Sequence, residues 1–275
     1  MNTHSSASCE LVNTYEVLEH VMGINGLHPH SLDSINTLFQ KISDHTKNKK
    51  GIVLDVGCGS AYGTYKLSCM LEPDVSVIGI DINKKSISYA QSRYANKNNL
   101  SFYVGTLEQF NNEHPGLNII GILSVSVSMF FLDTQHFYQT ANKMLSYGGI
   151  FVDAPFVFSS DKNKLKDSFK DKTYQICGCN MQMHTTTELS QFMQTADFNQ
   201  LDVNENEFEL MNMRKLFRDY SAGYLLAKFI KNTLSPPPTF INHSSWYIFK
   251  RTLNIFGFFI KNRNKYGATI LIGIK

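Results

Sequence analysis

Apolar residues recur along this chain in two rhythms. Short apolar runs of strand length stand at 52–54, 75–80, 100–104, 117–127, 150–154, 199–203 and 268–274. Longer mixed stretches at 65–71, 84–96, 133–146 and 185–195 separate most of them. A short unbroken apolar run suits a strand buried on both faces, and a longer mixed one suits a helix with one apolar face. The alternation predicts an α/β, doubly wound, mostly parallel seven-stranded sheet with helices on both faces. The run at 117–127 reads as its central strand. Two more helices are predicted upstream. Apolar residues at 11, 12, 15, 17, 18 and 21 suit a helix, and 32–42 follows the loop 23–31. Residues 1–10 are polar and 46–50 form a basic linker.

Local signals place several ends. Asp133 stands where a helix needs an N-cap, and Thr185 with Glu188 has capping-box spacing, so Thr185 and Thr186 read as structural. Gly148 and Gly149 read as residues that end a helix before the fifth strand. The prolines at 236–238 break the helical stretch 208–266.

The most informative stretch is 51–64, GIVLDVGCGSAYGT. A strand runs into Asp55, then turns through Gly57 and Gly59 toward a helix. Glycines there allow a sharp turn and close approach of a ligand to the backbone. The following helix N-terminus carries free N–H groups and a partial positive charge, suited to an anionic ligand group. The second strand ends at Asp81, where doubly wound sheets hold a ribose diol. The turn departs from the G-x-G-x-x-G of dinucleotide sites.

LDVGCGSAYGT at 54–64, GIDIN at 79–83, VGTLEQF at 104–110 and MLSYGGIFVDA at 144–154 resemble the class I S-adenosylmethionine (SAM) dependent methyltransferases. The resemblance is to the small-molecule type, including methyltransferase type 11 and phosphoethanolamine methyltransferase-like domains. It spans roughly 11–207 and the last strand. It implies a Rossmann-like fold whose last strand inserts antiparallel, and SAM as cofactor. It assigns cofactor contacts to Asp55, Gly57, Gly59, Asp81, Ile82, Thr106, Leu107 and Ser124. The family's usual acid beside the adenine is replaced by Thr106, with Glu108 as substitute. The histidine found after the fourth strand in many relatives is also absent: Phe131 stands there, before Leu132. Tyr15, His136 and His184 remain as catalytic candidates, with His28 and His243 as further residues near the expected pocket. The resemblance divides the chain into an N-terminal helical cap at 1–50, a SAM-binding domain at 51–207 completed by 267–275, and a helical lid at 208–266.

Composition narrows the function. The chain has 275 residues and a net charge of +3, too little to make it a polyanion binder as a whole. No basic-then-apolar leader and no membrane-length apolar run is visible, and an odd five cysteines fit a reducing, cytoplasmic setting. Cys177 and Cys179 are half a metal site at most, and Asp153 is a lone carboxylate at the strand ends, so no metal is expected. Charge concentrates in 208–266, where ten lysines and arginines face two acids among many aromatics. Three readings stay open for it: a solvated face, recognition of an anionic or carrier-bound substrate, and peripheral contact with an anionic membrane. No nucleic-acid motif accompanies the charge. The expectation is a metal-independent methyltransferase acting on a small, lipophilic or anionic intermediate. The alternatives are a SAM-fold binding protein without methyl transfer, and a methyltransferase acting on protein or RNA.

Overall fold

A computed structural model describes residues 32–158, 181–204, 254 and 266–275. The first described helix, α1, spans Leu32–Thr46. Then β1 (Gly51–Val56), α2 (Tyr62–Met70), β2 (Val75–Asp81), α3 (Lys84–Arg93) and β3 (Leu100–Val104) alternate. They are followed by α4 (Leu107–Glu113), β4 (Ile119–Val125), a single 3-10 turn (Ser128–Phe130), α5 (Thr134–Met144) and β5 (Leu145–Ala154). Short β6 (Phe156–Phe158), α6 (Thr186–Thr195), β7 (Gln200–Asn204), β8 (Tyr266–Ala268) and β9 (Ile270–Ile274) complete the described chain.

Seven strands form one sheet in the order β3-β2-β1-β4-β5-β9-β7, and β6 pairs with β8 in a small second sheet. Within the large sheet β9 runs antiparallel to both neighbours, and the other described pairings are parallel. The expected fold class and the antiparallel last strand are therefore met.

Side chains alternate across the sheet, so consecutive strand residues feed opposite layers. Leu54 and Phe151 join a core with Phe110 of α4, Phe137 and Tyr138 of α5, and Met193 of α6. Their neighbours Val53 and Val152 join the other core, with Leu38, Phe39 and Ile42 of α1 and Leu67 of α2. Thus α1 is a layer helix of the sheet. Its apolar face is buried in that layer, within the stretch 1–50 that the sequence reading assigns to an N-terminal helical cap.

Three expectations about element ends are corrected. Helix α2 begins at Tyr62, three residues earlier than its apolar pattern suggests, because Ala61 takes the turn in a left-handed conformation (φ 65°). Gly148 and Gly149 lie inside β5: α5 already stops where Leu145 turns extended, and the pairing jumps from Ile119–Leu145 to Gly121–Ile150 around Gly148 (φ 72°). The last apolar run splits at Thr269 into β8 and β9. The carboxyl ends of β1, β2, β3, β4 and β5 meet along one edge, which is where open α/β sheets take ligands.

Candidate functional site

Tight hydrogen bonding sets the turn after β1. The N–H groups of Gly57 and Cys58 both donate to Ile80 O, at 2.7 and 3.1 Å, which staples the turn to the end of β2. Asp81 completes the staple. Its Oδ2 accepts from Gly59 N at 2.8 Å, and its Oδ1 accepts from Asn83 N at 2.7 Å. Gly105 N donates to Asp81 O at 3.0 Å, which draws the turn after β3 to the same point.

The two glycines of the turn do different work. A β-carbon on Gly57 (φ +74°) would lie 2.3 Å from the Val127 side chain, so that glycine makes room for protein. A β-carbon on Gly59 (φ +54°) would meet nothing within 4 Å. Gly59 thus presents bare backbone toward open space, as a ligand cradle requires. Helix α2 starts beside it without a side-chain cap, so no side chain of its N-cap competes for the first-turn N–H groups.

Two carboxylates converge beneath this cradle. Asp55 is buried and accepts from Thr64 Oγ1 at 2.7 Å. Burial pushes it up to about 7; the Thr64 hydrogen bond opposes the rise and nearby Asp81 adds to it. Burial also raises Asp81, against the two backbone N–H groups that hold it. A cationic group placed here would restore the ionised form of both.

The remaining predicted contacts separate into rim and interior. Ile82 is 75% exposed at the tip of β2, an apolar side chain offered at the ligand edge. Thr106 is occupied as the N-cap of α4: its Oγ1 accepts from Gln109 N at 3.2 Å, and Gln109 Oε1 accepts from Thr106 N at 2.9 Å. Leu107 is fully buried, which leaves its backbone alone for a ligand. Ser124, at the carboxyl end of β4, is also fully buried, with its side chain on the face it shares with Asp153 of β5. Glu108 Oε1 lies 4.0 Å from His136 Nε2, so these two half-exposed side chains pair across α4 and α5.

Phe131, standing where relatives carry histidine, stacks on Phe137 at 4.2 Å and is part of the packing. His184 comes close to this place from another segment. Its Nε2 lies 3.2 Å from Thr134 Oγ1, and its ring edge meets Phe192. Tyr15, His28, His243, Cys177, Cys179 and the basic aromatic stretch 208–265, apart from Asn254, lie outside the described residues. Sequence reasoning missed Thr64, the hydrogen-bond partner of Asp55. Its position in the first turn of the helix after the glycines was the available signal. It also missed Val127 as the residue that covers Gly57, which nothing local to either residue reveals.

Comparison with known proteins decides the family. The family described as "Methyltransferase domain" matches residues 47–215, more than half of the chain. The chain belongs to the methyltransferase domain family. The class I resemblance of the sequence motifs is thereby met, and the chain carries the fold of its methyltransferase neighbours. Phosphoethanolamine N-methyltransferase 2 of Haemonchus contortus, solved with S-adenosyl-L-methionine, has a TM-score of 0.66 at 14% identity. That match covers 97% of this chain and 60% of the other, so the chain spans about 60% of that protein's length. A SAM-dependent methyltransferase of Geobacter sulfurreducens, solved with S-adenosyl-L-homocysteine, has a TM-score of 0.63 at 12% identity, covering 96% and 100% of the two chains. The [4+2]-cyclase SpnF has a TM-score of 0.65 at 11% identity, covering 95% and 93%. At these identities the likeness concerns the fold. No curated protein matches the chain in sequence.

Proposed function

We propose that this chain binds SAM at the glycine turn and transfers its methyl group to a small, lipophilic or anionic molecule, without a metal ion. The observation that carries the reading is the pair Asp55 and Asp81 set around the open backbone of Gly59 at the ligand edge of the sheet. This donor set fits SAM. Asp81 retains acceptor capacity for a ribose diol beside its two backbone bonds, and Ile82 offers an apolar surface to an adenine ring. Asp55 gives a counter-charge to the ligand's cationic end, and the start of α2 suits its carboxylate. Solved neighbours named with SAM or S-adenosyl-L-homocysteine support the same cofactor.

When bound, SAM supplies a methyl group already activated on a sulfonium. The chain's own contribution is then mainly orientation and exclusion of water. A base is needed only for an acceptor that must lose a proton. His184, held by Thr134 near the end of β4, is the described residue best placed for that role, whereas His136 is turned toward Glu108. Metal independence rests on the donor set. Asp153, the carboxylate at the end of β5, is buried and engaged by Tyr138, and no three His, Cys, Asp or Glu side chains gather as metal ligands among the described residues. The cationic, aromatic composition of 208–266 supports an anionic or amphipathic substrate, reached in water, on a carrier or at a membrane surface.

The second reading is a SAM-fold binder without methyl transfer. Phe131 in place of the histidine favours it, as does a neighbour named as a cyclase. Incubating the full chain with methyl-labelled SAM and cell extract separates the two. Label in a small extractable product, undiminished by EDTA, is expected. Binding without any transfer selects the second reading, and activity lost in EDTA and restored by Mg²⁺ contradicts metal independence.

A further inference from the structure

A cluster of polar side chains is buried inside the apolar layer where β4 and β5 end. Ser124 and Asp153 are direct partners in the parallel ladder, so their side chains leave the sheet on the same face. Tyr138 arrives from α5, and Ser128 from the 3-10 turn. All four are fully buried. Tyr138 donates its phenol proton to Asp153 Oδ2 at 2.6 Å. The hydroxyls of Ser128 and Ser124 lie near enough to the Asp153 carboxyl to stabilise its charged form. Yet neither hydroxyl, nor Asp153 Oδ1, makes a hydrogen bond of acceptable geometry within the protein. Two hydroxyls and one oxygen of a carboxyl group, from three separate segments, therefore lie together without a well-aligned partner. Buried polar atoms left unpaired are rare, and an ordered internal water making two to four hydrogen bonds is the usual partner of such a set.

Ser128, which joins this cluster, also belongs to the turn that packs against Gly57 of the glycine turn. Ser126 is held in the left-handed region (φ 59°), and its N–H donates to Ala154 O at 3.0 Å. Val127 covers Gly57. Met129 O accepts from Gln182 N at 2.6 Å. Ser128 O accepts from Thr134 Oγ1 at 3.4 Å, and the same hydroxyl reaches His184. A shift at Ser128 is one residue removed from Val127 and is passed directly to Thr134. We propose that Ser124, Ser128 and Asp153 hold one buried water, and that this seat positions the turn after β4 as the wall between the glycine turn and His184. Ser128 is then a positioning residue, and its role for the ligand rests on the SAM reading above.

A high-resolution crystal structure of the full chain tests the water seat without any ligand. One ordered water within hydrogen-bond distance of Asp153 Oδ1, Ser124 Oγ and Ser128 Oγ is expected. Dry density, with the two hydroxyls turned directly onto Oδ1, overturns the proposal. Amide hydrogen exchange then tests the positioning role. Ser128→Ala is expected to speed exchange at least tenfold at Ser126 and at Gly57 and Cys58. Ile42→Val, a core change in the opposite layer, serves as the destabilised control and is expected to leave those amides unchanged relative to the rest of the sheet. Equal behaviour of the two variants reduces Ser128 to ordinary packing. Calorimetry with SAM adds the functional arm: about tenfold weaker binding in Ser128→Ala and unchanged affinity in Ile42→Val. A wild-type chain that does not bind SAM defeats the cofactor reading, while density and exchange still decide the seat.

Discussion

Gly57 and Gly59 look equivalent in the sequence and are opposite in space. Both lie in the left-handed region, where a β-carbon costs about 1–2 kcal/mol. Only Gly57 would also drive that carbon into Val127, at 2.3 Å. Gly57→Ala is therefore expected to lose clearly more stability in chemical denaturation than Gly59→Ala. Gly59→Ala is expected to fold and to lose SAM affinity, because its new methyl group points where the ligand backs onto the chain. Normal SAM binding by Gly59→Ala would remove Gly59 from the site. Asp55 gives a second test. Burial raises it from 3.8 to about 7, so the folded chain retains a proton that the unfolded chain has released. Its contribution to stability is complete below about pH 4 and is lost as pH rises to about 7. A cationic ligand beside it favours the charged form, so SAM binding should release a proton and tighten between about pH 6 and pH 8. Titration in buffers of different ionisation heat reads the proton, and Asp55→Asn should flatten the profile while Asp81 and Thr64 remain. A profile already flat in the wild type would show that Asp55 does not face the ligand's charge. The motif residues at the ends of β1 and β2 were legible in the sequence because the turn is built from neighbours in the chain. The inward orientation of Ser124 was not, because it depends on Asp153, which belongs to another strand.

Elements were legible where a local signal fixed them. Asp133 caps α5 through His136 N, and Thr185 closes a capping box with Glu188, both as the spacing predicts. Thr185→Ala should lower stability by about 1 kcal/mol, the ordinary worth of an N-cap, measured by denaturant midpoint with an unchanged slope. An unchanged midpoint would mean that the tertiary packing of Leu189 and Met193, not the cap, fixes the start of α6. Boundaries failed where tertiary pairing overrode local preference. Gly148 and Gly149 have the look of a helix stop, but pairing of Leu145 with Ile119 recruits them into β5 as an irregularity. Similarly, the apolar face of α1 is equally consistent with an N-terminal helical cap and with a sheet layer. Its place in one core with Leu67, Leu123 and Val152 is a long-range fact that periodicity does not contain.

At the scale of the whole molecule, the alternation of strands and helices carried the fold class, and the order of four spaced motifs carried the family. Neither carries the acceptor. The stretch richest in charge and aromatic residues, 208–266, falls almost wholly outside the described residues, and its expected role as a lid rests on composition and on its place before the last strand. No described helix is long and apolar enough to cross a membrane. The described part of the molecule thus brings two carboxylates, a bare glycine backbone and an uncapped helix start to one edge of the sheet. Calorimetric titration of the full chain with SAM, beside Asp81→Ala, tests this assignment most directly. The expected result is saturable binding of one SAM per chain, weakened in the variant by about 1–3 kcal/mol, the cost of a lost charged hydrogen bond. No binding by the wild type, or the same affinity in Asp81→Ala, would contradict it.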